Sequence, residues 1–469
     1  MLISEAAKKI DGELTGSDIS FASVSTDTRS IKAGDLFVAL RGPNFDGHEY
    51  LDVAKKNGAV AVLISKSVKT SLPAIMVKDT RLGLGRLAAA WRAQYQLPTI
   101  AVTGSCGKTT LKEMLAAILN LRGATHFTAG NFNNEIGVPL TLLNLSEDHQ
   151  YAVIELGANH LGEIAYTADL TRPDVAVVTN AGDAHIEGFG SKENVGKAKG
   201  EIFQGLSSNG VAVLNRDDEF YNYWCSLVEG KRQVSFSLEN AKADFFGSDL
   251  ELQKSGKYHF LLNVSSSVCR DNDACIGIAL PLLGRFSVLN AISAAAAAYS
   301  VGATLTEIKS GLESISSIKG RLCPLTVGPL HIIDDSYNAN PVSIHAAVDL
   351  LAEIPGNKCL VLGDMAELGV HAPSLHREIG EYAAEKAIDN LLVFGRHASD
   401  YLFGFTTHKS TDQKGAIFDS CEEIAQFVHD ELSNYTILIK GSRSVAMERV
   451  IQCLKSMINE ECNDFEGQR

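Results

Sequence analysis

Nothing in this 469-residue chain offers the roughly 18 continuous apolar residues that a membrane span needs, so membrane insertion is not expected. A basic surplus is missing too: 42 Lys and Arg stand against 56 Asp and Glu, a net charge of −14 at pH 7. That balance argues against a nucleic-acid partner, whose backbone is held by clustered Lys and Arg. Anionic substrates would need cations concentrated locally. Cysteines occur at Cys106, Cys225, Cys269, Cys275, Cys323, Cys359, Cys421, Cys453 and Cys462. They show neither paired zinc spacing nor a small disulfide scaffold, and reduced thiols are expected. Residues 1–10 lack a signal-peptide pattern, and no short repeat or low-complexity tract occurs. What is present is an ordinary globular composition, 45% hydrophobic and 21% charged. Cytoplasmic residence and a monomer are the expectations.

At about 150 residues per domain, the length predicts roughly three domains, placed at 1–97, 98–318 and 319–469. The first carries short strand-like runs at 35–40 and 59–64, punctuated by Gly and Pro. The second alternates strand and helix: 100–103, 151–155, 174–179 and 211–215 read as buried parallel strands, and 233–279 changes to β-like alternation. An alanine-rich helix at 288–299, for which ordinary helix propensity accounts, precedes a hinge at Lys319, Gly320 and Arg321. The third alternates again, with strands at 331–334, 359–363, 391–394 and 436–439. The predicted fold class is α/β in three domains, with a central P-loop ATPase-type parallel sheet and a C-terminal Rossmann-like doubly wound sheet.

The most specific segment is Thr103-Gly-Ser-Cys-Gly-Lys-Thr-Thr110. Small residues at Gly104, Ser105 and Gly107 let backbone N–H groups, including those around Cys106 and Thr110, close on phosphate oxygens. Lys108 adds a point charge and Thr109 a hydroxyl for Mg²⁺. Leu111, Met114, Leu115, Ile118 and Leu119 then fall on one face of a helix whose N-terminus points at the phosphates. The loop is a variant of G-x-x-x-x-G-K-[ST], because Val102 stands where the first Gly belongs. An ordinary glycine turn capped by threonine is the competing reading.

Ligands of open α/β sheets collect beyond the carboxyl ends of strands, and here those ends are polar: Glu155 after Ile154, Thr179 and Asn180 after Val178, Asp334 and Asp335 after Ile333, Lys440 after Ile439. Glu155 suits a Mg²⁺-binding carboxylate, although a strand-end glutamate facing water fits the same position. His185 lies in a Gly-rich loop after a strand. A lone histidine is more often structural, and Mg²⁺ prefers oxygen. Lys197 and Lys199 read as the solvated side of a helix. A neutral lysine near bound metal can instead take up CO₂ as a carbamate, which turns a cation into an oxygen ligand.

These residues together resemble a known family, the ATP-dependent Mur ligases of peptidoglycan synthesis. The resemblance runs along essentially the whole chain through Ser25-Thr-Asp-Thr-Arg29, Gly34 to Leu40, Phe45-Asp-Gly-His48, Thr103 to Thr110, Asn131 to Pro139, Glu155-Leu-Gly-Ala-Asn159, Ala198-Lys-Gly-Glu-Ile202, Asp334 to Pro341, Leu362 to Gly369 and Lys440-Gly-Ser-Arg-Ser444. It implies an N-terminal module for a UDP-sugar, a central ATPase domain and a mobile C-terminal domain, with ATP and Mg²⁺ bound between the last two.

Carried over by motif, the resemblance gives Lys108 the phosphates, Thr109 and Glu155 one Mg²⁺, and His185 with a carbamylated Lys199 a second metal site. Asn290 looks like the adenine-side asparagine, with Arg321 and Asp335 as further nucleotide contacts. Ser25, Asp27, Arg29 and Phe45, Asp46, Gly47 and His48 look like the UDP pocket, and Asn133 and Asn134 like positions facing the muramoyl peptide. Asp364, Glu367, Lys440, Ser442 and Arg443 are candidates for the incoming amine substrate or for domain closure, a surface salt bridge being the alternative. One departure stands at Gly284-Arg-Phe-Ser287, where the family often has Gly-Arg-His-Asn.

The Asp334 to Pro341 and Leu362 to Gly369 segments favour UDP-N-acetylmuramoyl-tripeptide and D-alanyl-D-alanine as the implied substrates, joined through an acyl phosphate. The readings kept beside it are a related amide ligase, such as a folylpolyglutamate synthase, and a nucleotide-gated scaffold that forms no product.

Overall fold

Runs of valine, isoleucine and alanine without polar alternation become interior strands of parallel sheets, because burial on both faces leaves no side for polar residues. A computed structural model describes residues 1–183, 186–270 and 274–467, with side chains through Ile458. Its sheets succeed one another along the chain: five strands within 13–76, nine within 99–283 and six within 323–440.

In the middle sheet, Thr99–Thr103 lies between Tyr151–Glu155 and Val175–Val178, both parallel to it. Val211–Asn215, Arg232–Ser237 and Phe245–Leu252 extend the sheet in parallel. Lys257–Val264 and Cys275–Leu283 close that edge antiparallel. The alternating stretch is therefore a continuation of the same sheet. Tyr258, Phe260, Leu262 and Val264 point to the core while the residues between them are more exposed.

Helix Lys108–Asn120 buries Leu111, Met114, Leu115, Ile118 and Leu119 completely, as its periodicity predicts. The alanine-rich helix spans Arg285–Ser300, and helix propensity is not what its alanines serve. Ala291 and Ala294 to Ala298 are all 0% exposed, packed among the sheet and helix Lys108–Asn120. A helix buried on most of its faces needs small side chains so that neighbouring backbones can approach.

In the first region, Leu36–Val38 and Ala61–Ile64 are shorter than the predicted runs. Asp35 turns its carboxylate back to accept from the Lys32 N–H, which draws it out of the strand. Buried Arg92 fastens this region to the middle one, donating to the carbonyls of Thr171 and Tyr95 and to Thr99 Oγ1.

The C-terminal sheet runs Leu330–Asp335, Tyr435–Lys440, Asn357–Leu362, Asn390–Phe394 and Lys414–Phe418 in parallel, with Cys323–Val327 antiparallel at the edge. Asp335 and Lys440 end adjacent strands and pair in register. Among the described residues no helix is long and apolar enough to cross a membrane.

Candidate active site

A cavity of about 360 Å³ lies where residues 105–110 of the middle region face residues 320–322, 335–346 and 440–443 of the C-terminal one. Its floor is the phosphate loop, and packing dictates that loop's shape. A Cβ on Gly104, at φ 148°, would sit 1.8 Å from Thr179 Oγ1, and one on Gly107, at φ 84°, 2.4 Å from Asn290 Oδ1. The segment after strand Val175–Val178 clamps the loop. Thr179 Oγ1 donates to the Cys106 carbonyl at 2.6 Å, Cys106 N–H donates to Asn180 Oδ1 at 2.9 Å, and Ser105 N–H donates to the Asn180 carbonyl at 3.0 Å. The strand-end pattern marked Thr179 and Asn180 as polar but assigned them no role; the structure makes them the loop's scaffold.

Lys108 Nζ donates to the Gly104 carbonyl at 2.6 Å, and burial pushes its pKa down against the pull of Glu155. Thr109 Oγ1 accepts from Arg321 Nη2 at 3.0 Å, a bond between residues far apart in sequence. Arg321 also stacks on the Tyr337 ring at 4.4 Å. Thr110 and Asn290 complete this side, Asn290 being only 4% exposed.

Glu155 does not face water. It is 2% exposed, Oε1 accepts from Asn133 Nδ2 at 2.7 Å, and Oε2 is buried with no partner. An orphaned carboxylate oxygen beside a phosphate loop calls for a cation. Lys199 is likewise not on a solvated face. In helix Lys192–Gly200 it is 1% exposed, whereas Lys197, two residues earlier, is exposed. Burial, and then the neighbouring charge of Lys108, push the Lys199 amine down to about 7, and it lies 5.2 Å over the Phe189 ring. His185 lies outside the described residues.

Asp335 Oδ2 accepts from Lys440 Nζ at 2.6 Å and Oδ1 from Leu322 N–H at 3.1 Å, and both side chains are buried at the cavity wall. Cys106 Sγ donates to Asn340 Oδ1 across the two regions at 3.3 Å, and burial pushes the thiol up, which favours its unreactive form. Phe286 and Ser287, at the departure from the family pattern, also line the cavity, and Ser287 Oγ donates to the Leu283 carbonyl.

The remaining candidates divide. Asn133 lines the cavity, whereas Asn134 Oδ1 accepts from the N–H groups of Ile136 and Gly137 at the start of helix Gly137–Leu143. Ser25, Asp27 and Arg29 form a separate turn in the first region: Ser25 Oγ donates to the Asp27 carbonyl, and Arg29 holds the Asp27 carboxyl down at about 2. Asp46 accepts from Lys66 Nζ at 2.7 Å and pairs with His48 Nδ1 at 2.6 Å, while His48 Nε2 accepts from Ser65 N–H. His48 is thus committed to the fold. Phe45 beside it is 55% exposed, and Gly47 leaves no room for a Cβ against the Leu40 carbonyl. None of these residues lines the cavity. Asp364 accepts from the N–H groups of Arg396 and His397 and does not line the cavity, whereas Lys440 and Arg443 do.

Among the described residues no group of three His, Cys, Asp or Glu is placed to hold a metal ion. The donors at hand, Thr109 Oγ1 and Glu155 Oε2, are oxygens, which suits Mg²⁺ completing its shell with phosphate and water.

Family models match in succession: the Mur ligase family catalytic domain over 20–92, the Mur ligase middle domain over 102–298, and the Mur ligase glutamate ligase domain over 320–443. The UDP-N-acetylmuramoyl-tripeptide--D-alanyl-D-alanine ligase of Escherichia coli K12 is 45% identical over 456 residues, covering 97% of this chain and 98% of that protein. The crystal structure of MurF from Acinetobacter baumannii superposes with a TM-score of 0.88 at 34% identity, over 97% of this chain and 98% of that one. MurF ligase from Thermotoga maritima, in complex with ADP, gives 0.81 at 28% identity, over 94% and 98%. With the cavity, the phosphate loop and full-length similarity in agreement, the chain belongs to the Mur ligase family.

Proposed function

We propose that this chain is the ATP-dependent ligase that joins D-alanyl-D-alanine to UDP-N-acetylmuramoyl-tripeptide in cytoplasmic peptidoglycan precursor synthesis. The observation that carries the reading is the buried, unpartnered Glu155 Oε2 beside the phosphate loop, with Arg321 and Lys440 brought to the same cavity from the second sheet. Full-length similarity to the Escherichia coli ligase points to the dipeptide-adding branch. On the same reading 1–97, 98–318 and 319–469 act as three domains that bind UDP-sugar, ATP and the incoming amine side, a division supported by the three successive family matches.

A peptide carboxylate does not accept an amine at neutral pH, because oxide is too poor a leaving group. Transfer of the γ-phosphoryl group of ATP to the tripeptide's terminal carboxylate makes an acyl phosphate; the dipeptide amine attacks its carbonyl carbon, and phosphate leaves. Lys108, released from the Gly104 carbonyl, and Arg321, released from Thr109, would neutralise charge on the phosphates. Asn290 and Asp335 would hold the nucleoside, and Asn133 would orient the Glu155 carboxylate through their shared hydrogen bond. Mg²⁺, when bound by Thr109 and Glu155, supplies a Lewis acid for the phosphate oxygens. Lys199, with an amine near 7 in a dry setting, suits carbamate formation. The two sheets facing across one cavity would exclude water from the acyl phosphate. We place the UDP-sugar against the 25–29 and 45–48 turns and treat the working unit as a monomer.

The test is phosphate release from ATP with UDP-N-acetylmuramoyl-tripeptide, with and without D-alanyl-D-alanine, and product identification by mass. Release that requires both substrates and yields the pentapeptide adduct is the expected result. ATP binding without release, with either diaminopimelate- or lysine-containing tripeptide, would refute the substrate assignment.

A further inference from the structure

Behind the cavity wall, the loop that follows strand Asn357–Leu362 is tied down by side chains that the reaction itself does not use. His376, in helix Ala372–Glu385, is 0% exposed, and both ring nitrogens are committed. Nδ1 lies 2.6 Å from the Ala372 carbonyl and Nε2 accepts from Met365 N–H at 3.0 Å. A carbonyl can only accept and an N–H can only donate, so this pair of partners selects the neutral tautomer protonated on Nδ1. Tyr401 Oη donates to the Gly363 carbonyl at 3.2 Å, and the loop's own Met365 and Leu368 side chains are buried.

Besides the Gly363 N–H bond to the Lys440 carbonyl and the bonds of the Asp364 carboxylate to Arg396 and His397 N–H, the loop makes two contacts that matter for the site. The Asp364 carbonyl accepts from Ser442 N–H at 2.9 Å, at the base of the 440–443 segment that lines the cavity. The Glu367 carbonyl accepts from Glu187 N–H at 3.2 Å, joining the C-terminal region to the short helix Ile186–Phe189 whose Phe189 ring underlies Lys199. Glu367 reaches this position at φ 60°, a left-handed conformation that a non-glycine residue keeps only when its surroundings enforce it.

We propose that His376 is a positioning residue for the ligation reaction: by accepting from Met365 N–H it sets the 363–369 loop, and through that loop it aligns both the 440–443 cavity segment and the helix beneath Lys199. The inference rests on the ligase reading above.

The titratable groups facing the ring are Asp364 on the loop and His397, Asp400 and Tyr401 from the segment 397–401 that opens the next helix. His397 opposes a charge on His376, the two carboxylates favour one, and burial is the largest influence, lowering its pKa below the ordinary histidine value. A histidine lowered in the fold favours the folded loop while it is neutral. The stabilisation of the two contacts is therefore complete above the ordinary histidine range, and they are lost as pH falls through the lowered value.

The full-length protein is compared with His376→Leu and His376→Gln, measuring kcat and KM for ligation together with hydrogen exchange at residues 186–189 and 363–369. His376→Leu is expected to lower kcat by about tenfold or more, in line with the cost of misplacing reacting groups by an ångström. KM for ATP should stay within about twofold of the wild type, because the phosphate loop is untouched, and exchange at Glu187 should accelerate. His376→Gln, whose side-chain oxygen can take the place of Nε2 at every pH, should restore both readouts and remove the acid-side loss of protection at Glu187. Unchanged kcat and exchange in His376→Leu would overturn the proposal, as would an acid step in His376→Gln identical to the wild type. If His376→Leu does not fold, the His376→Gln acid step decides alone. The exchange measurement needs no ligase substrate, so a different substrate assignment leaves it readable.

Discussion

At the scale of single residues, the site is a set of buried and half-buried polar groups held mostly by other protein atoms. Lys108 spends its charge on the Gly104 carbonyl, Thr109 its lone pair on Arg321, and Glu155 one oxygen on Asn133, leaving the other unpartnered. Lys108→Ala is expected to abolish phosphate release while UDP-sugar binding, measured by calorimetry, remains; loss of both would indicate misfolding instead. Lys199 gives a pH prediction. Its amine is lowered to about 7 by burial and by Lys108, so the neutral form that can take up CO₂ grows as pH rises through that value. Incorporation of labelled bicarbonate into the protein, followed by NMR, should rise between pH 6 and pH 8 and vanish in Lys199→Arg; a pH-independent signal would remove the assignment.

Among elements, the phosphate-loop helix is held by contacts closer than most side chains allow. A Cβ on Gly311, in helix Leu305–Ser314, would lie 2.5 Å from Ile118 Cα, so the two helices meet through backbone. Gly311→Ala should gain about 1 kcal/mol in helix propensity. It should lose more to overpacking, which typically costs about 1–3 kcal/mol. A lowered thermal midpoint checks this, and a raised one would mean that the helices separate freely. The same closeness explains the alanine-rich helix. Its small residues were visible in the sequence and matched a good helix former, but the reason for them is burial among a sheet and another helix. The interior strands that carry their own apolar run were legible, and 151–155 and 211–215 match Tyr151–Glu155 and Val211–Asn215 to the residue; edge strands such as Thr125–Phe127 and Lys414–Phe418, which lack such a run, were not. Asp35 was not legible as a strand breaker, since its turn depends on accepting from Lys32 N–H.

For the whole molecule, the cavity exists only because the second and third sheets face each other, and bonds such as Arg321 to Thr109 and Cys106 to Asn340 cross it. Arg321→Ala is expected to raise KM for ATP by about tenfold, the size of a lost charge-assisted bond. UDP-sugar affinity should be unchanged, as the 25–29 and 45–48 turns do not touch the cavity; a parallel loss of both affinities would indicate that the first region depends on closure. The sequence alone determined the α/β class, the glycine-rich turn at 103–110 with the helix that follows it, and, through the order of its motifs, the family. These are local properties, written in the spacing of apolar and small residues along one segment. Only the tertiary structure decided which of Lys197 and Lys199 is buried, that Thr179 and Asn180 clamp the phosphate loop, that Asn134 and Asp364 serve backbone while Asn133 and Lys440 face the cavity, and that Arg321 reaches Thr109. Periodicity records how a side chain stands relative to its own helix or strand; its partner is chosen by how segments distant in the chain pack together.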